Sequence, residues 1–269
     1  MSTSSYYRRG LSLVELSISI SIIALLIVGT LGGSNLLKAA KVRKLVTELT
    51  TIKRSIDEFQ EEYSYLPGDM ANAYDFWGSD CGANSSGSAG SCNGDGDGSI
   101  EFTGLSSGTP TAEATAGTPQ EDLIAWEHLS FALLYPGNFT GQNVSSTVRY
   151  QAGTNTPRSE SYSGGLFMLR TEANSSGYNI YGTRGTTIRF GSIADVSSNA
   201  KQYPVGGIIS ARDAYAVDTK LDDGKASSGL LYTIRTPKLS PPSSGCTDDV
   251  WTASSADYDL DDATKTCTL

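Results

Sequence analysis

Histidine is almost missing from this chain: His128 is the only one in 269 residues. A general base of that type is limited to one position, and its setting, Trp126-Glu127-His128-Leu129, suits a packed or capping ring better than a reactive one. Charge is scarce as well, at 18% of residues, and the positive sign is the scarcer, with 20 Lys and Arg against 29 Asp and Glu. A net charge of −9 argues against a grip on nucleic acid through bulk electrostatics. No two cysteines stand at C-x-x-C spacing, so neither a zinc site nor a thioredoxin-type motif is indicated. The string Gly104-Leu105-Ser106-Ser107-Gly108 matches a nucleophile elbow only in letters, because it lies in a Gly/Thr/Pro-rich stretch without strand or helix context. No enzyme is expected. Internal repeats are also absent.

The four cysteines, Cys81, Cys92, Cys246 and Cys267, are an even number in a chain whose later part is rich in Ser, Thr, Gly and Asn. That reads as two disulfides in an exported, loop-rich head. Three connectivities exist. Cys81–Cys92 with Cys246–Cys267 is favoured, because each pair closes a short polar loop.

One long apolar run is present. Leu11 to Leu31 is broken by a single ionisable residue, Glu15, and follows the short polar, basic stretch 1–10 that carries Arg8 and Arg9. A run of about 20 residues is long enough to cross a bilayer as a helix, with the basic end cytoplasmic. The basic stretch 36–54 on its far side works against that orientation without forbidding it. No small-residue signal-peptidase site follows the run. Instead, Val42, Leu45, Leu49, Ile52, Ile56, Phe59 and Tyr63 continue in steps of three and four, an a/d stripe on one helix face. Lys44, Glu48, Arg54, Asp57, Glu58, Glu61 and Glu62 fall between them. Residues 11–63 therefore read as one helix, roughly 80 Å long, ended by Leu66-Pro67-Gly68.

Arg8-Arg9-Gly10 followed by Leu11-Ser12-Leu13-Val14-Glu15-Leu16 resembles the prepilin-peptidase signal of type IV pilins and type II secretion pseudopilins. The resemblance covers residues 8–31 and implies cleavage between Gly10 and Leu11, methylation of the Leu11 amine and an assembly role for Glu15. It departs from the family in two places. Leu11 stands where Phe is usual, and Gly32-Gly33, with Gly29 just before, stand where a helix-breaking proline is usual. The implied partners are the prepilin peptidase, an inner-membrane assembly platform and other pilin-like subunits in a filament. The implied organisation is a leader at 1–10, a long helix at 11–63 with a transmembrane segment at 11–31, and a globular head at 64–269. The precursor would be single-pass in a bacterial inner membrane with its head in the periplasm. The expected fold is α+β, with a long N-terminal helix, its apolar half membrane-spanning, packed on a small antiparallel sheet. A monomeric membrane-anchored binding protein with an exported head is the alternative reading.

Within the head, residues 65–70 and 125–129 resemble segments of a subgroup of bacterial pilin-like proteins, which implies a disulfide-closed C-terminal loop. Short β-prone runs begin at Gly165, Tyr178, Thr186, Gly207 and Leu230, and helices are expected at 123–135 and 210–221. The motif with most chemistry is Asn93-Gly94-Asp95-Gly96-Asp97-Gly98-Ser99-Ile100-Glu101. It fits the first half of an EF-hand loop, with oxygen donors at alternate positions of a tight turn, which suits Ca²⁺. Asn93, Asp95, Asp97, the Ser99 carbonyl and Glu101 are the candidate ligands, while Gly104 replaces the closing bidentate Glu. Asp218, Asp222 and Asp223 form a second acidic turn. The C-terminal carboxylates Asp248, Asp249, Asp257, Asp259, Asp261 and Asp262 are calcium candidates through the pseudopilin resemblance.

Overall fold

A computed structural model describes residues 12–81, 92–100, 120–144, 149–172, 185–195, 202–233, 246–248, 256–261, 264 and 267–269. The side chains of residues 29–32, 34, 194–195 and 202–205 fall outside that description. Gly10, Leu11, Glu101 and the Gly104–Gly108 string lie outside it entirely.

The first element, α1, runs Leu13–Tyr63, and the chain divides into two compact units, Met1–Lys41 and Val42–Leu269. In the first unit the described large apolar side chains, those from Leu13 to Val28 together with Leu36 and Leu37, all face outward, Leu13 at 87% exposure and Leu25 at 74%. Three serines interrupt them. Their hydroxyls fold back onto the helix, Ser17 onto the Val14 carbonyl, Ser19 onto Glu15 and Ser21 onto Ser17.

The expectation of a membrane-spanning half is corrected here: among the described residues no helix is long and apolar enough to cross a membrane. Glu15 and the hydroxyls of Ser17, Ser19 and Ser21 interrupt the apolar stretch at the start of α1, and polar groups within a segment count against its crossing a bilayer. The single-pass placement expected from the sequence therefore has no support in the described helix.

The second unit is built on the remainder of α1. Its stripe is buried as the spacing predicts, with Val42, Leu45, Leu49, Ile52, Ile56 and Phe59 all inside. Ser55, between two of them, donates to the Leu134 carbonyl at 2.8 Å. Glu48, one of the charges between the stripe positions, is held by the loop 159–161. One carboxylate oxygen accepts from the Glu160 N–H at 3.0 Å and the Ser161 hydroxyl at 3.0 Å, and the other accepts from the Ser159 hydroxyl at 2.8 Å. Lys44 pairs with Glu160 on the same loop. α1 stops where Ser64 turns to φ 61°, just ahead of Leu66-Pro67.

A short helix α2 (Ala73–Trp77) follows, with a 3₁₀ turn at Gly78–Asp80. Helix α3 (Glu121–Phe131) is buried on nearly every side, from Glu121 through Ser130. The sheet has three antiparallel strands in order β1 (Gly165–Glu172), β2 (Gly185–Asp195) and β3 (Gln202–Gly206). Phe167 faces Phe190 across the first pair. Alternation splits β1 between two cores: Phe167 and Leu169 join the large cluster with α1, while Leu166 and Met168 meet Leu123 and Tyr150. Pro204 places β3 at an edge, where a missing N–H is tolerated. Helix α4 (Ala211–Leu221) starts at Ser210, whose hydroxyl accepts from the Asp213 N–H.

The β-prone run at Gly207 forms only an isolated bridge, Ile209 to Cys267, and the described residues of the run at Leu230 form no strand. The chain end occupies that place. Leu269 exchanges both backbone hydrogen bonds with Phe190, and Cys267 bonds Ile208 and Ile209. Both disulfides pair as favoured, Cys81–Cys92 with Cα atoms 5.2 Å apart and Cys246–Cys267 at 5.1 Å.

Candidate functional site

Two places carry the residues singled out by the sequence. At the start of α1, the Ser12 N–H donates to Glu15 Oε2 at 2.9 Å while the Glu15 N–H donates to Ser12 Oγ at 3.1 Å. This is a reciprocal capping box, which satisfies two orphan donors of the first turn. Glu15 thus has a partner inside its own chain. The pattern Ser12-x-x-Glu15 was legible in the sequence and was eclipsed there by the assembly reading.

The second place lies just past the end of α1, where the turn Leu66–Met70 meets the loop 92–98. Their backbones touch: the Gly94 N–H donates to the Met70 carbonyl at 2.9 Å. A Cβ on Gly94 would overlap the Gly68 carbonyl oxygen and the Asp69 backbone, and one on Gly68, at φ 95°, would overlap the Glu121 carbonyl. Glycine at both positions is what lets the two loops and α3 close together.

Buried behind them, His128 joins all three. Its Nδ1 accepts from the Gly68 N–H at 2.9 Å, so Nε2 carries the proton and donates to the Cys92 carbonyl at 2.8 Å. Burial pushes the imidazole down to about 4, so it is neutral. Phe59 stacks on the ring with centroids 5.8 Å apart and Trp77 lies at 5.1 Å. With both ring nitrogens occupied by backbone, His128 serves as a core clamp.

In front of the clamp, carboxylate oxygens of Asp69, Asp95 and Asp97 come within 4.8 Å of one another. The loop orders itself through its own acids. The Asp97 N–H donates to Asp95 Oδ1 at 3.2 Å, the Ser99 N–H to Asp97 Oδ1 at 2.8 Å, and the Asp95 N–H to Glu121 Oε1 at 3.0 Å. Asp69 is 2% exposed. Its Oδ2 accepts from the Gly98 N–H at 3.0 Å, and its Oδ1 is buried with no hydrogen-bond partner among the described residues. Burial, and then the charges of Asp97 and Asp95, raise the Asp69 carboxyl above the usual range, while the Gly98 and Gly96 N–H groups pull it back.

Of the calcium ligands expected from the sequence, Asp95 and Asp97 are brought together. Asn93 has another task, its Oδ1 accepting the Tyr74 N–H of α2 at 2.8 Å. Asp69 was not among the candidates, because it sits on a separate loop and no periodicity links the two. The repeated Gly-Asp pairs at 68–69, 94–95 and 96–97 were its one visible signal.

The second acidic turn differs. Asp218, Asp222 and Asp223 also lie within 4.8 Å of one another, but hydrogen bonds engage each. Asp218 accepts from Tyr258 Oη at 2.8 Å and the Gly224 N–H at 3.1 Å, Asp222 from the N–H groups of Leu230 and Leu231, and Asp223 from Lys225 and Ser228. This turn staples the end of α4 to the following loop. In the C-terminal loop no group of three carboxylates gathers among the described residues; Asp248 accepts from the Asp257 N–H and Asp259 from the Asp261 N–H, while Asp249 and Asp262 lie outside the described residues.

Compared with family models, with curated proteins and with solved structures, the chain matches none. The reading of its function rests on its own residues.

Proposed function

We propose that the chain is a structural subunit of a type IV pilus or pseudopilus-like filament, processed by prepilin peptidase after Gly10 and assembled through the start of α1. The observation that carries this reading is the exposed apolar stretch of the first unit: Leu13, Val14, Leu16, Ile18, Leu25 and Leu26 each stand between 48% and 87% exposed. Apolar side chains in this number are ordinarily covered, and exposure on this scale marks an interaction surface. Copies of the same helix, stacked in a filament, are the occupant that suits it.

Glu15 gives that stack its register. A carboxylate closed into an apolar bundle is costly unless paired. Cleavage after Gly10 creates a new amine on Leu11, and that amine on an adjacent subunit meets Glu15 only when the two chains dock at the right axial offset. The prepilin peptidase, the inner-membrane assembly platform and neighbouring pilin-like subunits are the partners this reading requires. Two disulfides in the second unit fit an oxidising compartment, so the head works outside the cytoplasm.

The test is the mass of the mature N-terminal peptide. The reading expects a chain beginning at Leu11 with a methylated amine; an intact Met1, or a start at any other residue, removes the basis for it.

A further inference from the structure

We propose that Asp69, Asp95 and Asp97 form a Ca²⁺ site assembled from two separate loops, with the buried Asp69 Oδ1 as the ligand around which it is built. The site lies wholly in the second unit and does not depend on the filament reading.

The arrangement differs from a solvated acidic turn in one respect. Asp95 and Asp97 are exposed, but Asp69 is 2% exposed, and its Oδ1 has no hydrogen-bond partner among the described residues. An ionised oxygen without a donor in the interior is expensive, and ordinarily either a proton or a cation compensates it. Two further carboxylates beside Asp69 raise that cost, and a cation answers all three at once. The acidic turn at Asp218 shows the alternative solution within the same chain, with each carboxylate satisfied by N–H and O–H donors.

The donor set selects the ion. Three carboxylate oxygens, with none of nitrogen or sulfur, make a hard site that favours Ca²⁺ and similar hard cations over zinc and copper. A mutual separation within 4.8 Å fits ligands about 2.3–2.6 Å from a central Ca²⁺. Backbone carbonyls and water would complete the six to eight oxygens that Ca²⁺ takes, whereas Mg²⁺ demands a tighter octahedron than two loops impose. Asn93, the first position of the EF-hand pattern, is replaced in this set by Asp69. The ion would tie the turn that ends α1 to the loop 92–98, which follows Cys92 of the Cys81–Cys92 disulfide, and, through the Glu121 bond to the Asp95 N–H, to the start of α3. It would then lock from the solvent side the same junction that His128 clamps from the core.

The experiment is Ca²⁺ binding and thermal unfolding of the full chain in mild detergent. The proposal expects one tightly held Ca²⁺ per chain by equilibrium dialysis. It also expects an unfolding midpoint about 5–10 °C higher than in EDTA when free Ca²⁺ exceeds Kd about a hundredfold, with a much smaller rise in equal Mg²⁺. Asp69→Asn separates cation from proton. The amide copies a protonated acid, so a carboxyl that is merely protonated predicts a variant as stable as the parent under every condition. The cation site predicts loss of the Ca²⁺ shift, as does the exposed pair Asp95→Asn with Asp97→Asn. No bound Ca²⁺ on the parent at millimolar concentration overturns the proposal, as does a shift that survives either variant.

Discussion

The Gly68 N–H reaches His128 Nδ1 at 2.9 Å across the interior, binding the turn that ends α1 to the middle of α3. The other ring nitrogen reaches the Cys92 carbonyl at 2.8 Å. The chain's only histidine thus holds three segments that are far apart in sequence, and its neutral form is required.

That requirement sets a pH dependence. The folded His128 is depressed to about 4 while the unfolded ring titrates near its ordinary 6.5. Below about 6.5 the unfolded chain binds a proton that the folded chain refuses, so stability is full above that pH and declines as pH falls toward 4. Between pH 7.5 and pH 5 the loss from this group is about 2 kcal/mol. Burial also raises the Asp69 and Asp218 carboxyls above the usual range, so the informative quantity is a difference. His128→Gln should be less stable than the parent at pH 7.5 and show a flatter decline to pH 5 in urea unfolding. Parallel pH profiles for the two proteins would show that His128 is not the titrating clamp.

A second prediction concerns the base of α3. Arg149 Nη2 lies 2.5 Å from Asp122 Oδ1 and Arg149 Nη1 bonds Gln120 Oε1 at 2.8 Å, while the Tyr150 hydroxyl donates to Asp122 Oδ2. The two ionic side chains are 6% and 1% exposed. Removing one partner strands the other charge in the interior, so Arg149→Met should cost about 3–5 kcal/mol of unfolding free energy. Combining it with Asp122→Asn should recover part of that loss. A double variant as unstable as the sum of its parts would mean that packing, and not the stranded charge, sets the cost.

Much of the helical architecture was legible. The steps of three and four from Val42 to Tyr63 marked the buried face of α1, because one face of a helix repeats in sequence. The helix expected at 210–221 forms as α4, and the structure shows Ser210 capping its start. The strands were legible only where long-range pairing agreed with local propensity. Gly207–Ser210 looked β-prone, yet the chain end at Cys267–Leu269 decides what that segment pairs with, and no local signal encodes such a neighbour. The same limit applied to the site. Asp95 and Asp97 share a loop and were found, whereas Asp69 joins them only through the fold. Glu48 was visible only as a charge between the stripe positions, and the loop 159–161 that folds over to meet it has no local signal. The membrane-spanning expectation came from counting apolar residues in one continuous run, whereas Glu15, Ser17, Ser19 and Ser21 interrupt that run, and among the described residues no helix is long and apolar enough to cross a membrane.

The central claim is that Glu15 sets the register of a filament through its charge, and the capping box makes a clean separation available. Glu15→Gln keeps an oxygen for the Ser12 N–H and preserves the cap, while removing the negative charge; Glu15→Val removes both. The decisive measurement is the fraction of processed chain recovered in assembled filaments, by shearing or by chemical cross-linking, for the parent and the two variants. The account predicts that both variants are cleaved after Gly10 as the parent is and that both assemble poorly. If Glu15→Gln assembles at the parent level, Glu15 is a helix cap and nothing more, and the pairing of its carboxylate with a neighbour's Leu11 amine is contradicted.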